Sequence, residues 1–203
     1  MSTVPTPASG HGHGHGFQPA HRNTRISNGL LGVIFFLCTE VALFGSLFFA
    51  YLYLRRTEVA WPPASFDHLD VVLGAANTGI LVISGFWCHY ADTAIAKGKQ
   101  GRFLLLLGLT IIFGATFLGI QAHEYIDLRT AINRDIFGAT FFTLTGLHGA
   151  HVTLGVLALI IIFVLGLRRR WGPNNHFAVH GVTLYWHFVD VVWVLLFALF
   201  YLV

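Results

Sequence analysis

The stretch from Ile136 to Leu167 reads IFGATFFTLTGLHGAHVTLGVLALIIIFVLGL and contains no Asp, Glu, Lys or Arg. A helix needs about 20 apolar residues to cross the ~30 Å hydrocarbon core of a bilayer, and this stretch is longer than that. A backbone inside lipid must satisfy its own hydrogen bonds, which an α-helix does within one segment. We therefore predict that these residues form a membrane-spanning helix.

Four further segments have the same apolar character. They are Leu30–Leu54, Leu69–Tyr90, Phe103–Ala122 and Val179–Val203. The strands of a membrane barrel are about 10 residues long and alternate in polarity, so these segments favour helices. The sequence predicts an all-α fold, a polytopic membrane bundle of five transmembrane helices.

The composition agrees with lipid as the solvent. Of 203 residues, 55% are hydrophobic and 10% charged, whereas a soluble domain carries about 25% charged residues. The formal net charge is only +3 and no basic run is long, so no nucleic acid partner is expected.

Small residues recur four apart, a spacing that predicts close helix packing. The pairs are Ala75/Gly79, Thr110/Gly114, Ala115/Gly119 and Thr145/Gly149.

The chain divides into a tail and a membrane domain. Residues 1–28 are rich in His and Gly and cannot bury enough apolar surface to fold, so they are predicted to be a disordered cytoplasmic tail. The alternation from His11 to Gly16 can bind divalent metals adventitiously, but a disordered segment is the favoured interpretation. Residues 29–203 form the predicted membrane domain.

Lys and Arg predict the orientation. Eight of them lie in the tail and in the second and fourth connections, and four lie in the first and third connections. Connections that carry more Lys and Arg face the cytoplasm. The N-terminus is therefore expected in the cytoplasm and the C-terminus outside.

Ionisable residues inside a membrane are costly and need a reason. Glu40 lies about ten residues, or ~15 Å, into the first span. His148 and His151 are three apart on the fourth span, and His187 and Asp190 are three apart on the fifth, so each pair shares a helix face.

Three interpretations of these groups remain open: ligands of a haem or metal, a proton-conducting chain, and a hydrogen-bonded cluster that fixes helix register. The last is favoured. Glu40 is expected to be neutral or to meet a polar partner on another helix. The segment Gln121–Tyr125, which contains Glu124, closes the third span and is interpreted as a helix cap and interface anchor.

Four segments together resemble one family, subunit III of the haem–copper cytochrome oxidases. The segments are FFLCTEVALF (Phe35–Phe44), GIQAHEY (Gly119–Tyr125), TGLHGAHV (Thr145–Val152) and YWHFVDVVW (Tyr185–Trp193). Each resembles a motif of that family, and they occur in the family's order on the corresponding spans. Longer members have seven helices, and this chain matches the last five, as shorter bacterial members do.

The resemblance implies a role and a set of partners. Subunit III of that family carries no haem or copper, packs against subunit I beside subunit II, and supports proton uptake and the durability of turnover. Its phospholipid lies in a cleft between the first two helices and the rest, so a bound phospholipid is expected, although one wall of that cleft is missing here. Six positions map onto the family's polar residues, none of them catalytic: Glu40, Glu124, His148, His151, His187 and Asp190.

The expected function is that of a non-catalytic subunit of a proton-pumping terminal oxidase in a bacterial plasma membrane. Haem and copper are expected in the partner subunits and no cofactor or metal in this chain. Three alternatives stay open: subunit III of a quinol oxidase, a membrane cytochrome, and a small transporter or proton channel that acts alone. A transporter of this kind typically shows inverted repeats and broken helices, and the sequence has neither signature.

Overall fold

A computed structural model describes residues 28–58, 61, 70–128 and 136–202. The five helices are α1 (Asn28–Thr57), α2 (Val71–Ala96), α3 (Gln100–Leu128), α4 (Ile136–Leu167) and α5 (Phe177–Phe200). Every one of the five is long and apolar enough to cross a membrane, which confirms the predicted fold. The predicted tail lies outside the described residues except for Asn28, which begins α1.

Three helices, α1, α2 and α3, are longer than the hydropathy pattern predicted. α2 begins after Asp70, whose carboxylate accepts hydrogen bonds from the backbone N–H groups of Val72 (2.9 Å) and Leu73 (3.1 Å). It continues past Tyr90 to Ala96 and stops at Gly98, which has a φ of 69°. α3 extends beyond both predicted ends, so Gln121–Tyr125 lies within a helix and not at its terminus.

The helices form a ring with one helix outside it. α2 packs on α3 and α5, and α4 packs on the same two helices, so α2 to α5 close on themselves. α1 lies outside this ring, and its contacts with the other described helices are to α4 and α5. Its buried side chains are correspondingly few, namely Phe44 and Tyr51.

The ring closes around the indole of Trp186 on α5, which is completely buried. Its Nε1–H donates to Ser84 Oγ on α2 at 3.1 Å. A Cβ added to Gly114 of α3 would lie 2.7 Å from this indole, and a Cβ added to Gly155 of α4 would lie 2.8 Å from it. One side chain of α5 therefore contacts each of the other three helices of the ring.

The small-residue pairs differ in what they do. Thr110 is fully buried, and Gly114 gives room to the Trp186 indole, so this pair brings α3 close to its neighbours. A Cβ added to Gly79, Gly119 or Gly149 would meet no atom within 4 Å. Of the four pairs that the spacing indicated, Thr110/Gly114 is thus the one whose glycine serves a helix contact.

Substitution of these glycines separates helix propensity from packing. Ala is favoured over Gly in a helix by about 1 kcal/mol, so Gly119→Ala should leave the free energy of unfolding unchanged or raise it. Gly114→Ala places a methyl group against a rigid, fully buried indole. It should lower the free energy of unfolding by about 1–3 kcal/mol, the usual effect of overpacking. Unfolding titrations in mixed detergent micelles measure both variants; equal stabilities would contradict this role of Gly114.

Candidate functional site

Glu40 of α1 and His151 of α4 form a hydrogen-bonded pair between two helices. Glu40 Oε2 lies 2.8 Å from His151 Nε2, and the side chains are 14% and 12% exposed. His151 Nδ1 lies 2.8 Å from the carbonyl oxygen of Leu147. A carbonyl oxygen only accepts, so Nδ1 carries a hydrogen. The hydrogen bond to Glu40 then contains one proton, either on Nε2 of an imidazolium or on a neutral carboxyl group.

The surroundings of this pair fix the imidazole ring. The ring of Phe44 meets the His151 ring edge to face, with 5.1 Å between centroids. The hydroxyl of Tyr185 on α5 donates to the His151 carbonyl oxygen at 3.0 Å. Three helices therefore converge on His151, and the partner on another helix expected for Glu40 is present.

His148 has a different environment although it lies three residues from His151. Its side chain is fully buried, stacks on the Trp193 indole at 5.1 Å between centroids, and meets Phe117 edge to face. Neither ring nitrogen has a hydrogen-bond partner in the described part of the chain. Both nitrogens of His148 are thus enclosed by protein, whereas both nitrogens of His151 are engaged in short polar contacts.

His187 and Asp190 of α5 form a second pair against α2. His187 Nδ1 lies 3.7 Å from Asp190 Oδ2, and the carboxyl group packs directly against Gly85, where a Cβ would collide with it. Asp190 Oδ1 is buried without a hydrogen-bond partner among the described residues. Beside the pair is a cavity of about 330 Å³ whose other lining is almost entirely apolar, formed by Val82, Phe86, Val191, Val194 and Leu195.

A further polar pair joins α2 to α5 nearer the start of α5. Its residues, His180 and Asp92, were not predicted from the sequence. His180 Nδ1 lies 2.8 Å from Asp92 Oδ2. Between this pair and Asp190, the rings of His89 and His187 lie 6.2 Å apart. The signal was available in the three-residue spacing of His89 and Asp92, but the predicted end of the second span at Tyr90 placed Asp92 outside the helix.

Glu124 lies inside the bundle, and the interpretation of Gln121–Tyr125 as a cap and interface anchor is wrong. Gln121 and Glu124 are buried, and the hydroxyl of Tyr201 donates to Glu124 Oε2 at 2.7 Å. The hydroxyls of Tyr125 and Thr145 are 2.6 Å apart. Because α3 continues beyond the predicted span, these side chains face the neighbouring helices and join α3 to α4 and to the end of α5.

The six predicted residues therefore belong to separate places. Glu40 meets His151, His187 meets Asp190, Glu124 meets Tyr201, and His148 lies in the aromatic core. No hydrogen bond or ion pair between described residues joins the Glu40 pair to the Asp190 pair. Within the same described ranges, no three His, Cys, Asp or Glu residues are placed to hold a metal ion.

A double-mutant cycle measures how much the Glu40 pair holds α1 to α4. Glu40→Gln retains a donor for His151 Nε2 and should keep most of the stability, whereas Glu40→Ala leaves that nitrogen unpaired and should cost about 1–3 kcal/mol. The cycle of Glu40→Ala with His151→Ala should give a coupling energy of about 0.5–3 kcal/mol in unfolding titrations. Strict additivity would show that the two side chains do not stabilise each other.

Comparison with known proteins identifies the family of this chain. The family model described as cytochrome c oxidase subunit III matches residues 13–203. A protein of Synechocystis sp. named cytochrome c oxidase subunit 3 is 40% identical over 176 residues, 85% of this chain and 75% of that protein. Proteins of the same name from Thermostichus vulcanus and Gazella leptoceros are 39% identical (85% of this chain, 86% of that protein) and 33% identical (89% and 72%). The chain belongs to the cytochrome c oxidase subunit III family.

Proposed function

We propose that this chain is the non-catalytic subunit III of a proton-pumping haem–copper oxidase that takes electrons from cytochrome c. Membership of the family makes the chain a part of an oxidase complex. The observations that carry the proposal are the match of residues 13–203 to the family model and the 39–40% identity over 176 residues to proteins named cytochrome c oxidase subunit 3. We assign haem and copper to subunit I, on which this chain packs, with subunit II and further subunits completing the complex.

The polar groups of the bundle support a role with protons and not with electrons. The Glu40–His151 pair contains one proton in its hydrogen bond, and that proton can lie on either partner without leaving an isolated charge. An isolated charge at this depth would cost about 2.5–3.5 kcal/mol or more, so pairing lowers the free-energy cost of an ionisable group there. The pair can therefore stabilise the fold and also support proton uptake by subunit I.

The proposed location is a bacterial plasma membrane, with the start of α1 in the cytoplasm. The chain is a multi-pass membrane protein by its five helices and its family. The α2–α3 turn carries Lys97, Lys99 and Arg102, and the α4–α5 connection carries three consecutive Arg residues. Both lie at the end of the bundle where α1 begins, and the excess of Lys and Arg there supports a cytoplasmic location for this end.

Purification of a tagged copy from its native membrane tests the assignment to an oxidase. We expect a larger haem- and copper-containing subunit to co-purify in mild detergent, and the complex to consume O₂ with reduced cytochrome c as the donor. If the complex consumed O₂ with a quinol but not with reduced cytochrome c, the electron donor would be a quinol. A stable, haem-free homo-oligomer would contradict the proposal and favour a transporter or channel that acts alone.

The role of Glu40 in proton uptake is tested by Glu40→Gln in the assembled complex. Gln can hold α1 to α4 but has no proton to release, so steady-state O₂ uptake in proteoliposomes should be slower or decay faster while the haem spectra stay unchanged. Glu58→Gln makes the same chemical change at the exposed end of α1 and serves as the control. Equal turnover and equal lifetime in both variants and the parent complex would leave Glu40 a structural role alone.

A further inference from the structure

Three cations line one groove at the end of the α2–α3 hairpin. Lys97, Lys99 and Arg102 are exposed and surround a cavity of about 620 Å³. None of them forms an ion pair with another described residue. Asp92, one turn before Lys97, is already hydrogen-bonded to His180 at 2.8 Å. The groove therefore carries a positive charge that the described part of the chain does not neutralise.

The backbone that carries these cations has a fixed geometry. Gly98 takes a left-handed conformation with a φ of 69°, which lets the Lys99 N–H donate to the Ala94 carbonyl oxygen at 2.9 Å. Gln100 Nε2 donates to the carbonyl oxygen of Gly166 at 2.6 Å, which ties the turn to the end of α4. Such a turn holds the backbone of the charged residues in place, so only their side chains need to order when an anion binds.

The groove changes in character toward the interior of the membrane. Below the cations it is lined by His89, Tyr90, Trp87 and Leu106, and deepest by Phe86. Aromatic residues with a polar edge are typical of the headgroup level of a bilayer. Phe86 also lines the apolar cavity of about 330 Å³ between α2 and α5, so the two spaces adjoin at this side chain.

We propose that this groove binds one anionic diacyl phospholipid. Its phosphate lies among Lys97, Lys99 and Arg102, its glycerol backbone lies at Tyr90 and Trp87, and one acyl chain passes Phe86 into the cleft between α2 and α5. This order of cations, aromatic rings and apolar surface matches the order of groups along the lipid. The walls belong to α2, α3 and α5, so the site differs from the cleft that the sequence comparison with longer oxidase subunits implies. It is also independent of the electron donor of the complex.

Labelling by a photoreactive lipid tests the site in the purified complex. The probes are phosphatidylglycerol and phosphatidylcholine with a diazirine in one acyl chain, each incorporated into nanodiscs, with cross-linked peptides identified by mass spectrometry. We expect phosphatidylglycerol to label residues 82–106 several-fold more than phosphatidylcholine does. Each basic residue near a membrane surface changes the affinity for an anionic lipid about fivefold, so each Gln at position 97, 99 or 102 should lower the affinity for phosphatidylglycerol, read from labelling at increasing lipid fraction, by about that factor.

Two matched controls separate a built site from general surface charge. The triple variant Lys97→Gln, Lys99→Gln, Arg102→Gln should lose the labelling, whereas Arg168→Gln, Arg169→Gln, Arg170→Gln removes equal charge from the neighbouring connection and should retain it. Leu106→Trp fills the groove and should reduce labelling, whereas Leu105→Trp changes an exposed neighbour that does not line it.

Four results would overturn the proposal. They are equal labelling by both lipids, labelling that survives the triple Gln variant, equal loss in both triple variants, and displacement of phosphatidylglycerol by inorganic phosphate at constant ionic strength. The last result would indicate a simple anion site. Because labelling is read from peptides of this chain, its failure is distinguishable from failure of the chain to assemble with an oxidase.

Discussion

The arrangement of the bundle depends on the burial of one rigid side chain, Trp186. Lipid tails are as apolar as the side chains of the helices, so helices in a membrane are held together by close packing and by hydrogen bonds between them. The Trp186 indole supplies both, because it fills the space left by Gly114 and Gly155 and donates to Ser84. Trp193, two turns further along α5, repeats this function by donating to Thr78 of α2 at 2.9 Å while stacking on His148. The motif YWHFVDVVW therefore positions α5 against every other helix of the ring.

α1 is attached by a different mechanism, and this makes the Glu40 pair important for the fold. α1 buries only two side chains and contacts only α4 and α5 among the described helices. The contacts that hold it include Glu40 to His151, Phe44 to the His151 and Phe188 rings, and the Tyr51 hydroxyl to the Leu199 carbonyl oxygen at 2.7 Å. A change in the protonation of Glu40 or His151 therefore acts on one of the few contacts that attach this helix.

Much of the fold could be predicted from the sequence, because hydropathy alone identifies segments that are long enough to cross a bilayer. The helix ends could not, because His89, Tyr90, Asp92 and Thr93 lower the hydropathy of α2 while the backbone continues as a helix to Ala96. The need of Glu40 for a partner also followed from physical principles. The identity of that partner did not, because His148 and His151 are separated by only about 60° around α4. That small rotation puts one histidine in the aromatic core and the other against α1.

The two carboxyl groups between α2 and α5 are both largely buried, each with a partly exposed histidine as its partner. His180, near the start of α5, is 46% exposed, and its partner Asp92 is 14% exposed. His187 is 40% exposed, and Asp190, one turn further along α5, is only 11% exposed, with one oxygen unpaired and the other near His187. An unpaired carboxylate at that depth is costly, whereas a neutral carboxyl group needs only one acceptor for its hydrogen. Asp190 therefore needs either its own hydrogen or a cationic partner to avoid an isolated charge at this depth. In both states, as in the Glu40 pair, a proton keeps the buried carboxyl group from carrying an isolated charge.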